Sequence, residues 1–178
     1  MLFKEAITAF GKVDILINNA GIFIPKPLTE YSEQDIDALI NTNLKGFLFP
    51  LQQAASHMSK NKAGHIVNIT ASIALQPNVK VPALLPVMIK GGLNEATRGL
   101  ALELAADNVR VNAVAPGIIE TPLHSDYSGS IGFFSSLSPS DRTGKTQDVV
   151  DVVLYLTDST FVSGTVMAVD GGSTAGTW

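Results

Sequence analysis

Short apolar runs alternate along the chain with longer stretches in which apolar residues recur every three or four positions. The short runs are Val13–Asn18, His65–Thr70, Val109–Val114 and Thr165–Val169. Each is apolar or β-branched almost throughout, as strands covered on both faces are. Between them the spacing predicts helices. One occupies the first ten residues, where Lys4 and Glu5 interrupt an apolar pattern. Another is capped by Ser32 and carries Ile36, Leu39, Ile40, Leu44, Phe47, Leu48 and Leu51 at helical spacing. A third begins at Leu85 or Pro86 and runs to about Ala106, with Leu93, Ala96, Leu100, Ala101 and Leu104 on one side. The last spans Thr146 to Thr157, with Tyr155 in its apolar pattern as a packing residue. Strands alternating with helices indicate an α/β domain, with a parallel sheet covered by helices on both faces. No repeat or composition break divides residues 1–178, so a single domain is expected. The stretch from Ile118 to Arg142 is rich in Gly, Ser and Pro and too long for a plain connection, which suits a functional lid or a mobile segment.

Composition narrows the classes of function. Hydrophobic residues make up 46% and charged residues 16% of the 178, and the mean hydropathy is +0.25. A small domain this apolar is expected to have part of its surface covered, either by another copy of the chain or by a missing piece of its own fold. Net charge is −4 with scattered basic residues, which leaves no footprint for nucleic acid. No apolar run reaches the roughly eighteen residues that cross a bilayer, and the first ten residues do not read as a signal peptide. The absence of cysteine excludes disulfides and thiolate chemistry and suits a cytoplasmic location. His57, His65 and His124 show no metal-ligand spacing, so no metal site is expected.

The polar punctuation carries the chemistry. Asp14-Ile-Leu-Ile-Asn-Asn-Ala-Gly21 is a buried strand that ends in a polar turn at its carboxyl end, where ligands sit in open α/β sheets. After it come Asn-Thr-Asn-Leu-Lys-Gly46, Gly-His-Ile-Val-Asn-Ile-Thr70, Lys-Gly-Gly-Leu-Asn94, Arg-Val-Asn-Ala-Val-Ala-Pro-Gly-Ile-Ile-Glu-Thr121 and Val-Asp-Gly-Gly172. In this order and spacing the motifs resemble the short-chain dehydrogenase/reductase family over essentially the whole chain. That resemblance implies the carboxyl-terminal four strands of a Rossmann-type doubly wound sheet. It also implies NAD- or NADP-dependent reduction of a carbonyl, or oxidation of an alcohol, on a small molecule.

Particular residues inherit roles from the resemblance. Asn19, Ala20 and Gly21 match a turn that steadies the sheet beside the adenosine-ribose of the cofactor. Asn43 matches a helix asparagine in the proton relay. Lys90 matches the lysine that holds the nicotinamide ribose. Pro116, Gly117, Ile118 and Thr121 match a turn facing the carboxamide and phosphate, and Asp170, Gly171 and Gly172 match a structural turn. The family's catalytic serine aligns with Ala71, so Ser72 one place later, or Thr70 nearby, is the hydroxyl available. The long helices around Asn43 and Leu93 match those through which relatives form dimers and tetramers, which makes a homo-oligomer the expected state. Gly91 and Gly92 each cost a helix about 1 kcal/mol against alanine, and close approach of another backbone would explain them.

Two departures weigh against full activity. The 178 residues contain no T-G-x-x-x-G-x-G turn, the family's phosphate cradle, and no match to its first three strands. About three charge-assisted hydrogen bonds to phosphate are missing, worth on the order of 5–9 kcal/mol together. A micromolar nucleotide site would thereby weaken past millimolar. The family's Y-x-x-x-K reads Pro86-Val-Met-Ile-Lys90 here, so the phenol that exchanges the proton is replaced by a ring with no proton to give. Loss of general acid–base catalysis typically slows a reaction about 10²–10⁴-fold. His124 and Tyr127 in the long loop are candidate substitutes, but a mobile polar loop accounts for them equally well. The expected state is thus a weak or inactive oxidoreductase chain, or alternatively a non-catalytic oligomerisation module of the same fold.

Overall fold

The computed structural model describes residues 2–122 and 131–176. Its centre is a parallel sheet of four strands in sequential order. These are β1 (Ile15–Asn18), β2 (Gly64–Ile69), β3 (Val109–Pro116) and β4 (Val166–Val169). Leu16 lies beside Ile66 and Ile66 beside Val111, while Val114 pairs with Met167. Around the sheet lie α1 (Leu2–Phe10), α2 (Glu33–Leu39), α3 (Gly46–Asn61), α4 (Leu84–Glu103), the short α5 (Ile131–Ser135) and α6 (Thr146–Asp158).

Strand geometry decides which helix covers which face. Alternate side chains point to opposite sides, so Ile66 and Val67 enter different cores. Ile66, Val109 and Val111 pack with Phe47, Leu51, Ala54 and Met58 of α3 and with Leu93 and Ala101 of α4. Val67 and Val114 pack beneath Leu156 of α6. This three-layer arrangement is the α/β architecture that the alternating pattern predicts. All four strands lie where the apolar runs are, with shifted ends.

The ends moved for identifiable reasons. The Val13 N–H donates to His57 Nε2 at 3.2 Å, so it is not available to a strand, and β1 begins only at Ile15. β3 continues to Pro116, whose missing N–H costs nothing at the last position of a strand. Helix α4 begins at Leu84, putting Pro86 in its first turn where a proline is tolerated. It ends at Glu103, because residues Ala105–Asp107 tighten into a 3₁₀ turn and Asn108 takes a left-handed φ of 56° into β3.

The helix expected after Ser32 is not continuous. Ser32 Oγ accepts from the Asp35 N–H while the Asp35 carboxylate accepts from the Ser32 N–H, a reciprocal cap that starts α2. Between α2 and α3 the chain widens into a π-helical stretch over Ile40–Lys45, closed by a bond from the Gly46 N–H to the Asn41 carbonyl. The apolar positions of this region divide accordingly. Leu39, Phe47 and Leu51 are buried, whereas Ile36, Leu44 and Leu48 are partly exposed.

Three further expectations need adjustment. Tyr155 is 54% exposed rather than packed, because α6 turns Leu156, and not its neighbour, onto the sheet. Among the described residues a side chain at Gly92 would meet nothing within 4 Å, and one at Gly91 only the Ala74 carbonyl at 4.0 Å, so no close backbone approach among them explains the pair. The stretch 118–142 is not wholly irregular, since it contains α5 and the bridge Ile119–Gly144. Among the described residues no helix is long and apolar enough to cross a membrane.

Candidate functional site

The carboxyl ends of the strands open onto a cleft of about 1240 Å³. Its floor and walls come from the turns after β1, β2 and β3, the first turns of α4, and the apolar sides of α5 and α6. Of the residues predicted to serve a site, Asn19, Gly21, Ser72, Lys90, Pro116, Gly117, Ile118 and Thr121 line this one cleft. Ala20 and Asn43 do not line it. His124 and Tyr127 lie outside the described residues.

Asn43 stands one layer behind the wall, almost wholly buried. Its Oδ1 accepts from the Ile22 N–H and its Nδ2 donates to the Ile22 carbonyl, both at 2.8 Å. It therefore fastens the turn after β1 to the π-helical stretch, and the widened helix brings it there. Sequence spacing gave no sign of this π-helix, although such insertions recur at functional sites. Gly21 fits between these groups because it has no side chain. A Cβ there would lie 3.2 Å from Asn43 Oδ1 and 3.4 Å from Lys90 Nζ.

Lys90 Nζ donates to the Ile69 carbonyl at 2.9 Å, at the end of β2. Burial holds its pKa down to about 8. One helical turn earlier, buried Pro86 forms the neighbouring wall, so the position beside the amine presents carbon only.

The two candidate hydroxyls separate clearly. The Thr70 hydroxyl is turned back onto the Val114 carbonyl at 3.3 Å. Ser72, only 7% exposed, begins a short 3₁₀ turn and lines the cleft with its hydroxyl bonded to no described residue. Both residues line the cleft, and of the two hydroxyls only that of Thr70 is engaged among the described residues.

The far wall is built from two turns that lock together. Gly117 follows β3, and its N–H donates to the Val169 carbonyl at 3.0 Å. Asp170 folds the chain after β4 by accepting from the Gly172 N–H and from the N–H and hydroxyl of Thr174. A Cβ on Gly117 would lie 2.9 Å from the Asp170 Cα, a contact that backbone cannot relieve. Gly117→Ala is therefore expected to destabilise the chain by about 1–3 kcal/mol, read from the urea midpoint. An unchanged midpoint would mean the two turns are not rigidly joined.

The cleft was tested for a nicotinamide nucleotide at each end. At the ribose end the residues suit it, with an amine that keeps unused N–H groups and a space over Gly21 that a Cβ would fill. For a pyrophosphate these 178 residues supply no T-G-x-x-x-G-x-G turn. Among the described residues no cluster of acidic or histidine side chains is arranged to hold a metal ion.

The family model described as Enoyl-(Acyl carrier protein) reductase matches residues 1–174. The chain belongs to the short-chain dehydrogenase/reductase family. Within that family it is 39% identical over 174 residues to the BbsD subunit of (2S)-[(R)-hydroxy(phenyl)methyl]succinyl-CoA dehydrogenase from Thauera aromatica. It is 37% identical over 172 residues to the 3-oxoacyl-[acyl-carrier-protein] reductase FabG of Thermotoga maritima. These alignments take in 96% and 95% of the chain and 69% of each relative. Among solved structures, ElxO with NADP bound superposes with a TM-score of 0.91 at 34% identity, covering 98% of this chain and 73% of ElxO. A gluconate 5-dehydrogenase from Burkholderia cenocepacia in complex with NADP and tartrate gives 0.89 at 28% identity, covering 98% and 70%. This short-chain dehydrogenase/reductase chain thus shares its fold with these relatives, and carries Pro86 in the cleft wall.

Proposed function

We propose that this chain supplies the nicotinamide-ribose and substrate-facing part of an NAD(P)-dependent carbonyl–alcohol oxidoreductase site in which proton transfer is disabled or very slow. A single observation carries the reading. Pro86 occupies the wall one helical turn from Lys90, where a proton donor would have to stand. When bound, the nucleotide supplies or accepts a hydride. Lys90 holds its ribose, and Asn19, Ala20 and Gly21 shape the adenosine side. Pro116, Gly117, Ile118 and Thr121 present backbone and hydroxyl to the carboxamide and phosphate. The Ser72 hydroxyl donates to the carbonyl oxygen of the substrate, while Asn43 keeps the floor in register. Nothing at position 86 then delivers the proton, and the loss corresponds to about 10²–10⁴-fold in rate.

The test is a titration of NADH and of NADPH into the purified chain, followed by fluorescence or calorimetry, with its mass in solution recorded. The expected outcome is binding weaker than millimolar. Saturable binding tighter than about a millimolar would mean that something outside these residues completes the phosphate site, or that the cradle argument is wrong.

A second reading, a non-catalytic homo-oligomerisation module, draws support from a different surface. Leu48 and Phe49 of α3 and Met88 and Leu102 of α4 are exposed apolar side chains on helices long enough to pair. A well-folded oligomer that binds neither nucleotide would favour this reading. In either case a cytoplasmic setting suits a chain without cysteine.

A further inference from the structure

The cleft has a charge pattern that the chain as a whole does not. Lys80 and Lys90 line it, and among the described residues no Asp, Glu, Arg or His does. The whole sequence leans the other way, with 16 acidic residues against 12 Lys and Arg. Most of the remaining wall is apolar, with Phe23, Val81, Val150 and Leu154 among it. Like charges in a concave, apolar site with no counter-ion reinforce one another's potential.

The two amines have different positions and different prior commitments. Lys90 lies at the floor and is bonded to the Ile69 carbonyl. Lys80 lies on the loop leading into α4, exposed, and its ammonium forms no ion pair among the described residues. The α4 amino terminus that follows has no acidic residue in its first turn and no side-chain cap, so nothing there offsets the charge of Lys80. Ser72, only 7% exposed, lines the same cleft, and its hydroxyl is bonded to no described residue. A molecule that satisfies all three features has an acceptor oxygen for Ser72, an apolar body, and an anionic end for Lys80.

We infer that the cleft takes a carboxylate-bearing carbonyl or alcohol compound with an apolar body, and that Lys80 holds its charged end and sets this specificity. The inference rests on the reading of the cleft as a substrate site. Anionic oxygen also occurs in nucleotide phosphates, and the experiment separates the two sources.

4-Acetylbenzoate, its neutral analogue 4-acetylbenzamide, and NADPH are each titrated into the full chain at neutral pH and low salt, by calorimetry or protein-observed NMR. The acid, which carries a ketone, an apolar ring and a carboxylate, is expected to bind about three- to tenfold more tightly than the amide. The preference should vanish in Lys80→Gln, reverse in Lys80→Glu and shrink as salt is raised. NADPH should bind wild type and Lys80→Gln alike. Equal affinity for acid and amide, or no binding of either, overturns the inference. So does a Lys80→Gln loss that falls on NADPH instead of the acid, because Lys80 would then serve the nucleotide. The acid–amide comparison needs no redox step, so it stays decisive even if the oxidoreductase reading fails and NADPH does not bind at all.

Discussion

In a Pro86→Tyr variant, a fourth tyrosine is expected to ionise about 1–3 pH units below the ordinary value near 10, seen as tyrosinate absorbance in excess of wild type. The variant places a phenol on the cleft wall one helical turn from the Lys90 ammonium, and a positive charge at that spacing favours phenolate. The backbone tolerates the change, because a residue in the first helical turn has an N–H that needs no partner in the helix. The phenol and the amine titrate as a coupled pair, so the shift belongs to both. A Pro86→Tyr, Lys90→Met double variant should return the new phenol to the ordinary range. A new phenol that titrates near 10 in both variants would mean that Lys90 is not positioned to act on this site. Where a nucleotide and a carbonyl substrate are both bound, the restored acid should raise turnover about 10²–10⁴-fold.

The second large effect concerns the stability of the chain in alkali. Burial lowers the Lys90 pKa to about 8 in the folded chain, whereas an unfolded lysine titrates near 10.5. Below pH 8 the amine is charged in both states, and the full cost of burying it opposes folding. Between 8 and 10.5 the unfolded chain binds more protons than the folded one, so stability rises with pH over this window. The rise is on the order of 3 kcal/mol. It is best read between pH 8 and 10, since burial raises the Tyr31 phenol above 10 and works in the opposite sense beyond that. Urea midpoints should therefore climb over that interval in wild type and stay flat in Lys90→Met, which should also be the more stable protein at neutral pH. The same slope in both proteins would mean that the amine is well solvated.

The sequence exposed the architecture and singled out eight residues that line one cleft, and each omission has a physical cause. Four apolar runs became four parallel strands; β2 and β3 are buried as such runs imply, whereas Ile15 and Ile17 of the edge strand β1 remain 43% and 41% exposed. The glycine turns were visible as motifs, but only the geometry shows Gly117 against the Asp170 backbone. Ser72 and Thr70 could not be told apart in one dimension. Which hydroxyl is free depends on the Val114 carbonyl, which is 44 positions from Thr70 along the chain. The absence of acidic side chains among the described residues that line the cleft was equally invisible, since it is a property of several distant segments brought together. The π-helix escaped for another reason. Apolar residues at three- and four-residue spacing fit an unbroken α-helix as well as one widened over six residues, and the sequence alone does not separate them.

That widened stretch fixes the length of the chain as firmly as any side chain is fixed. A π-turn holds one residue more than an α-turn, so removing any one residue from 40–45 would let the helix close up into regular α geometry. The flanking helices would keep nearly the same relative orientation, because a π-turn and an α-turn each complete about one full circle, but the side chains inside the stretch would be re-aimed. Asn43 would swing off the Ile22 backbone and the floor of the cleft would lose its fastening, although no chemically distinctive group had been touched. Substitutions on the outer face of this segment should be tolerated freely, while a single in-frame codon loss should not. Between Ser32 and Asn61, the number of residues is itself part of the site.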